Sequence, residues 1–302
     1  MPTFKRLAQF VALSTVLAMA VGEWLVRSVL PYSIIKPRRV SRVRQIRPEA
    51  LQLTATRFDC RGALGTRLVG WVFRTSQPPT RGTVVVMHGI ASCKEDMLGL
   101  ARLLTQNGFD VLVYDARAHG ESEGVYCSYG YFESQDLSKA IEAVRQQDLS
   151  HGPFAVYANS YGGAVALLAM AKDPDIRCGV VESTFANLRE IVNLYLKRIV
   201  WFAPQALSDA ALNHAGLIAG FEPDAVSPED AARMISQPVR LLHGTHDDRI
   251  PIAHGERIFR NLASKSKEWA PVPGGDHTNL WSSENGRYQR ESVEFLKKHL
   301  QE

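Results

Sequence analysis

Short apolar runs recur along most of this chain, and nearly every one is followed by a stretch with helical spacing. "TVVVMH" precedes "KEDMLGLARLLTQNG", "FDVLVYD" precedes "SQDLSKAIEAVRQQD", and "FAVYAN" precedes "YGGAVALLAMAKD". "CGVVES" and "VRLLHG" continue the series of strands, with "ERIFRNLA" and "SVEFLKKHL" as later helices. Runs without polar alternation belong to strands buried on both faces, so the pattern predicts a mostly parallel, doubly wound sheet flanked by helices. Before the Pro78-Pro79 loop, "LQLTATRFDC" and "TRLVGWVF" around the turn "RGALG" predict an antiparallel hairpin.

The alternation fails between Thr184 and Pro238, after the sixth strand. This insertion, about residues 186–236, would lie over the carboxyl ends of the strands, where open α/β sheets bind ligands, and it reads as a short helical lid. Ile191, Val192, Leu194, Tyr195, Leu196, Ile199, Val200, Trp201 and Phe202 crowd a span of twelve positions within it. Packing on the body accounts for one helical stripe. The apolar set covers more than one face, so some of it, with Trp201 and Phe202 foremost, is expected to line a pocket for an acyl chain.

The other irregular segment is the N-terminus. Leu7 to Val26 has bilayer-spanning length, with Val11 to Val21 free of charge and Trp24 at an interfacial position. A retained membrane anchor over residues 1–30 is the leading reading. The rival is a cleaved signal peptide, with Lys5 and Arg6 first and Ala18-Met19-Ala20 as the cleavage site. An amphipathic helix packed on the body is the third. Residues 31–50 read as a basic juxtamembrane linker, and residues 51–302 as one catalytic domain.

Charge sharpens this division. Residues 1–47 hold nine Lys/Arg and one acid, whereas the rest of the chain holds 26 basic and 30 acidic side chains. The body is therefore mildly acidic, which argues against a nucleic-acid groove. Seven basic residues, including Arg42 and Arg44, follow the apolar segment and two precede it. That bias favours a body on the cytoplasmic face, whereas signal cleavage would export it. Cys60, Cys93, Cys127 and Cys178 form no CxxC, and no H-E-x-x-H occurs, so neither metal nor cofactor is expected.

The candidate chemistry centres on Ala158-Asn159-Ser160-Tyr161-Gly162, where a buried strand meets a glycine-rich helix start. A serine at such a bend is exposed above the helix N-terminus, the geometry of a nucleophile elbow. A serine hydroxyl needs a base and an orienting acid. In this architecture both follow the serine in the order acid, then histidine. "VRLLHGTHDDRIP" supplies Asp247 after a strand, and "WAPVPGGDHTNLW" supplies His277 after the last. Asp248, Glu182 and Asp276 are rivals for the acid. His243 suits a role in fixing the turn, and His246 also flanks that loop. His119, His151, His214 and His254 read as surface or loop residues. Oxyanion donors are expected from the backbone N–H groups of Tyr161 and Ile90.

"VVVMHGIASC", "VLVYDARAHGESEG", "VYANSYGGAVAL", "PVRLLHGTHDDRIP" and "GGDHTNLW" resemble, in order, the landmark segments of the α/β-hydrolase family. The likeness covers roughly residues 50–300 and is nearest to small, short-lid members of the serine-aminopeptidase-like or esterase type. It implies Ser160 as nucleophile, Asp247 as acid and His277 as base, with Asp115 and Arg117 bracing a loop. Ala158 and Ala118 stand where the family pattern has glycine. The function implied is a serine hydrolase acting on an ester or thioester of a small or lipid-like acyl group. A peptidase or amidase on the same machinery is the alternative within the class, and a non-catalytic membrane scaffold the one outside it.

Overall fold

The computed structural model describes residues 2–40, 47–150 and 152–300. Arg42, Arg44 and His151 lie outside the described residues, as do the side chains of Lys5 and Ala18. Helices α1 (Pro2–Ser28) and α2 (Leu30–Ile35) come first, followed by strands β1 (Ala55–Arg61), β2 (Arg67–Phe73) and β3 (Thr83–Met87). Then α3 (Leu98–Gln106), β4 (Asp110–Tyr114), α4 (Glu133–Gln146), β5 (Phe154–Asn159), α5 (Tyr161–Met170) and β6 (Ile176–Glu182) alternate. The insertion holds α6 (Leu188–Ile199), α7 (Gln205–Ala219) and α8 (Pro228–Ala231). β7 (Val239–Gly244), α9 (Ile252–Asn261), β8 (Lys267–Val272) and α10 (Arg287–His299) close the chain.

The eight strands form one sheet in the order β1-β2-β4-β3-β5-β6-β7-β8. β1 and β2 make the antiparallel hairpin, β2 also runs antiparallel to β4, and every other pairing is parallel. The unbroken apolar runs follow from having helices on both faces. Val84 and Val86 of β3 pack in one core with Leu100 and Leu104 of α3 and with Leu296 of α10. Val85 and Met87 of the same strand pack in the other, with Leu137 of α4, Val165 of α5 and Ile258 of α9. With neighbouring side chains pointing to opposite dry faces, no position in the strand has a reason to be polar.

Two expectations change. The apolar N-terminal helix is longer than Leu7–Val26. The stretch Gln9–Ile35 has the length and mean hydropathy, 1.6, to cross a bilayer, and its most apolar part is not buried against the body. Residues 31–40 are not a free linker. Ile35 is fully buried with Ala164, Leu168, Leu188 and Leu212. Its carbonyl accepts from Cys127 N–H at 2.9 Å, and the Ile34 carbonyl accepts from Tyr129 Oη at 2.7 Å. Arg39 donates to the carbonyls of Gly120 (2.8 Å), Ser122 (2.5 Å) and Gly124 (2.8 Å). Its charge thus satisfies buried-loop acceptors rather than facing water alone.

The segment after β4 is tied down by two buried charge clusters. Asp115 accepts from the backbone N–H of Lys94 and from its Nζ, both at 2.8 Å. Arg117 forks onto Asp136 of α4 with two 2.7 Å bonds and also donates to the Ala63 carbonyl at 3.1 Å. Burial alone would raise Asp136 and lower Arg117, but their pairing restores the guanidinium above its ordinary value, while Asp136 remains raised. Removing one partner of such a pair strands a buried charge, at about 3–5 kcal/mol. Arg117→Met is expected to lower unfolding stability by about 3 kcal/mol or more, and Arg117→Lys by less, because it keeps a charge but loses the fork. Urea titration followed by circular dichroism measures both. A loss below about 1 kcal/mol for Arg117→Met would mean that the fork contributes little.

Candidate active site

Ser160 occupies the bend between β5 and α5 with φ 53° and ψ −122°. A non-glycine residue at positive φ is strained, and its neighbours hold it there. Its N–H donates to the Glu182 carbonyl at 2.8 Å, and its carbonyl accepts from Thr184 Oγ1 at 2.8 Å. The bend also needs close backbone approach. A Cβ on Gly162 would meet the His88 carbonyl oxygen at 2.7 Å, and one on Gly163 would meet Thr184 Cβ at 2.8 Å. Ala158, one methyl larger than the family pattern's glycine, fits buried between Met87 and Val181.

His277 Nε2 lies 3.0 Å from Ser160 Oγ, and His277 Nδ1 lies 2.8 Å from Asp247 Oδ2. A carboxylate only accepts, so Nδ1 carries the proton and Nε2 is left to accept from the serine hydroxyl. Asp247 is fixed in turn by the N–H groups of Arg249 and Ile250, both at 2.9 Å from Oδ1. Burial would raise its pKa, but the bonds from His277 and Ile250 outweigh that and hold it below the ordinary carboxylate value. His277 rides on a tight turn in which Asp276 accepts from the N–H groups of Thr278 (2.6 Å) and Asn279 (2.9 Å). Asp276 is thereby occupied away from the ring. Asp248 is exposed, and its carbonyl accepts from Arg198.

Ile90 borders the same pocket as Ser160. As the first residue of α5, Tyr161 has an N–H with no intrahelical acceptor. The loop carrying Ile90 is held by two histidines. His88 is buried, donates from Nδ1 to the Gly89 carbonyl at 2.8 Å and accepts at Nε2 from Ala116 N–H at 3.0 Å. His119 accepts at Nε2 from Ala91 N–H at 3.1 Å and donates to the Arg117 carbonyl at 2.9 Å. Burial lowers both, His119 to about 3, so both rings are neutral and act as hydrogen-bonding struts.

Several residues sit elsewhere than the sequence suggested. His119 and His254 are buried rather than superficial, because each ring pairs with the backbone N–H of a distant segment; His254 Nδ1 accepts from Ala186 N–H at 3.2 Å. His243 is buried and donates to the Ile250 carbonyl at 2.8 Å. His246 is exposed, and His214 is half-buried on α7. Trp201 and Phe202 do not line the Ser160 pocket. They are 84% and 70% exposed, because α6 stops at Ile199 and the chain turns outward before Pro204 opens α7.

The pocket at Ser160, about 240 Å³, includes Tyr195, one of the apolar insertion residues expected to supply a pocket lining, and four side chains to which the sequence assigned no binding role: Asn159, Arg249, Thr278 and Trp281. Asn159 Oδ1 is buried with no partner among the described residues. Glu182, weighed only as a rival acid, instead accepts from Tyr157 Oη at 2.6 Å and Trp281 Nε1 at 3.0 Å at the pocket wall. The placement of Glu182 at the end of a buried strand was the available signal; the indole is distant in sequence.

Fold and bend together define the class of α/β-hydrolases. This chain has that fold, and part of it is similar to one of the class's families. A family model described as "Serine aminopeptidase, S33" matches residues 78–222. YqkD of Bacillus subtilis (strain 168) is 26% identical over 247 residues, covering 81% of this chain and 80% of that protein. The lysophosphatidylserine lipase ABHD12 of Danio rerio is 26% identical over 211 residues, covering 65% of this chain and 50% of that protein. Among solved structures, the Pyrococcus furiosus esterase Pf2001 shares the fold with a TM-score of 0.73 at 21% identity, covering 88% of this chain and 99% of that one. The chain is a hydrolase of α/β-hydrolase type.

Burial raises the Glu182 carboxyl from 4.5 to about 7, against the opposing bonds from Tyr157 and Trp281. The native state therefore keeps a proton that the unfolded chain releases at lower pH. The stability this proton provides is complete below the unfolded value and disappears as pH rises through about 7. Glu182→Gln removes the titration, so its melting temperature relative to wild type should improve steadily from pH 5 to 8. Thermal melts across that range test this, and a constant difference would show that Glu182 is not raised.

Proposed function

We propose that the chain is a serine hydrolase that cleaves an ester or thioester through an acyl-enzyme. The observation that supports it most is the continuous hydrogen-bond chain from Ser160 Oγ through His277 to Asp247, at 3.0 and 2.8 Å. His277 Nε2 takes the hydroxyl proton as Ser160 attacks the acyl carbon, then returns it to the leaving group; water repeats the sequence to release the acid. Asp247 fixes the ring's tautomer and stabilises the imidazolium. The backbone N–H groups of Ile90 and Tyr161 are the oxyanion donors. Residues 186–236 act as the lid, a reading supported by Tyr195 of α6, which lines the same pocket as Ser160. The aminopeptidase description of the matching family model makes amide cleavage the second reading. A panel of esters, thioesters and peptide amides separates the two.

Ser160→Ala or His277→Ala should lower kcat by at least about a thousandfold with circular dichroism unchanged. Asp247→Asn should cost about as much, because the wrong tautomer faces the serine, while Asp248→Asn stays near wild type. If Asp248→Asn or Glu182→Gln proves the more damaging change, the orienting acid lies there instead. Loss of fluorophosphonate labelling in Ser160→Ala completes the test; persistent labelling would place the nucleophile elsewhere.

We further propose that α1 anchors the protein with its body toward the cytoplasm, on the excess of basic residues after the apolar helix. A protease added to intact cells should leave the body whole, with cleavage appearing on lysis. Cleavage in intact cells would reverse the topology.

A further inference from the structure

A second cavity, about 300 Å³, lies between α2 and the α6–α7 hairpin, at the lower end of the size of small-molecule sites. Leu30 and Ile34 of α2 wall one side, and Val192, Leu196 and Ile199 of α6 the other. Three of the hydroxyls that line it, those of Ser33, Ser208 and Tyr129, are already engaged. Ser33 bonds to the Leu30 carbonyl at 2.7 Å, Ser208 to the Gln205 carbonyl at 2.8 Å, and Tyr129 to the Ile34 carbonyl at 2.7 Å. Among the described residues no charged side chain lines it, so it offers water few partners and suits an apolar occupant.

Its position narrows the occupant further. Tyr195 borders both this cavity and the Ser160 pocket, so the two adjoin across one side chain. Its far wall is the segment where the apolar helix α1 ends. Ile199, 83% exposed, belongs to the opposite wall, on α6, and ends that helix just before the exposed Trp201 and Phe202. Apolar and aromatic side chains beside the end of a membrane-length helix are placed to sit at a lipid interface.

We infer that this cavity is the acyl-chain site of the hydrolase, entered from the bilayer, with Tyr195 between it and the serine. The N-terminal segment is then part of the substrate site as well as a tether. The inference rests on the serine-hydrolase reading above. Each buried methylene favours binding by about fourfold, so chain length is the readout.

The test uses the full chain in phosphatidylcholine vesicles and p-nitrophenyl acetate, butyrate and octanoate. In wild type, kcat/KM should climb from acetate to octanoate. Ser33→Trp, at the exposed mouth, and Val192→Trp, within the wall, should each cut the octanoate-to-acetate ratio by about tenfold or more. Leu217→Ser, exposed and outside both cavities, should keep the wild-type ratio. A wild-type ratio in both tryptophan variants, or a steady fall beyond acetate in wild type, would overturn the inference. Binding of a fluorescent long-chain fatty acid to Ser160→Ala, lost on adding Ser33→Trp, reads the cavity without turnover. Absent ester hydrolysis and absent labelling of wild type would instead count against the serine-hydrolase reading. Undiminished fatty-acid binding in the double variant would count against the cavity.

Discussion

The tight turn of β5 into α5 is the constraint on which the other parts of the site depend. α5 starts so close to β3 that Gly162 has no room for a Cβ beside the His88 carbonyl. That closeness forces Ser160 to positive φ and lifts its hydroxyl out of the sheet. A strained residue persists only where surrounding structure over-determines it. Here the Glu182 carbonyl and the Thr184 hydroxyl hold both sides of the peptide. Because the end of β6 and the residues just after it supply those partners, the segment that places Glu182 in the pocket wall also fixes the serine.

Around this turn, the buried polar groups divide into those that must stay neutral and those that must stay paired. His88 and His119 are too deeply buried to charge cheaply, and each ring uses one nitrogen to donate and the other to accept. Such a ring can do this only in the neutral form, so depressed basicity and structural role are the same fact. Lys94 shows the opposite solution. Burial pushes it down, but Asp115, Glu121 and Glu95 around its ammonium more than restore it, leaving it raised. Neutral struts support the loop of Ile90, and charged clusters lock the loops behind it.

What the sequence made legible follows from these same forces. Strands were readable because two dry faces leave no polar alternation. Ser160, Asp247 and His277 were readable because each follows a buried strand in a fixed order, and the structure brings those three side chains together. Rings that pair with distant backbone were not readable: nothing near His254 in sequence announces the Ala186 N–H. Trp201 and Phe202 misled because apolar count says nothing about where a helix stops, and α6 ends at Ile199, leaving both exposed. Residues 31–50 read as a basic linker, and nothing near Arg39 in sequence announces the loop carbonyls to which its guanidinium donates.

The packing of residues 31–40 on the body couples the direction of α1 to the serine pocket. If residues 31–40 were a free linker, the body would tumble at the end of its tether and meet lipid in any orientation. Ile35 buried in the insertion's core and Arg39 clamped to the loop after β4 remove that freedom. The chain between Ile35 and α1 is too short to restore it, since α2 follows α1 after a single residue. Whatever direction α1 takes, the α6–α7 hairpin takes with it. The hairpin in turn carries Tyr195, which lines the Ser160 pocket. An N-terminal segment packed in this way sets which face of the hydrolase is nearest the end of α1, and that face is the one through which the serine pocket adjoins an apolar cavity.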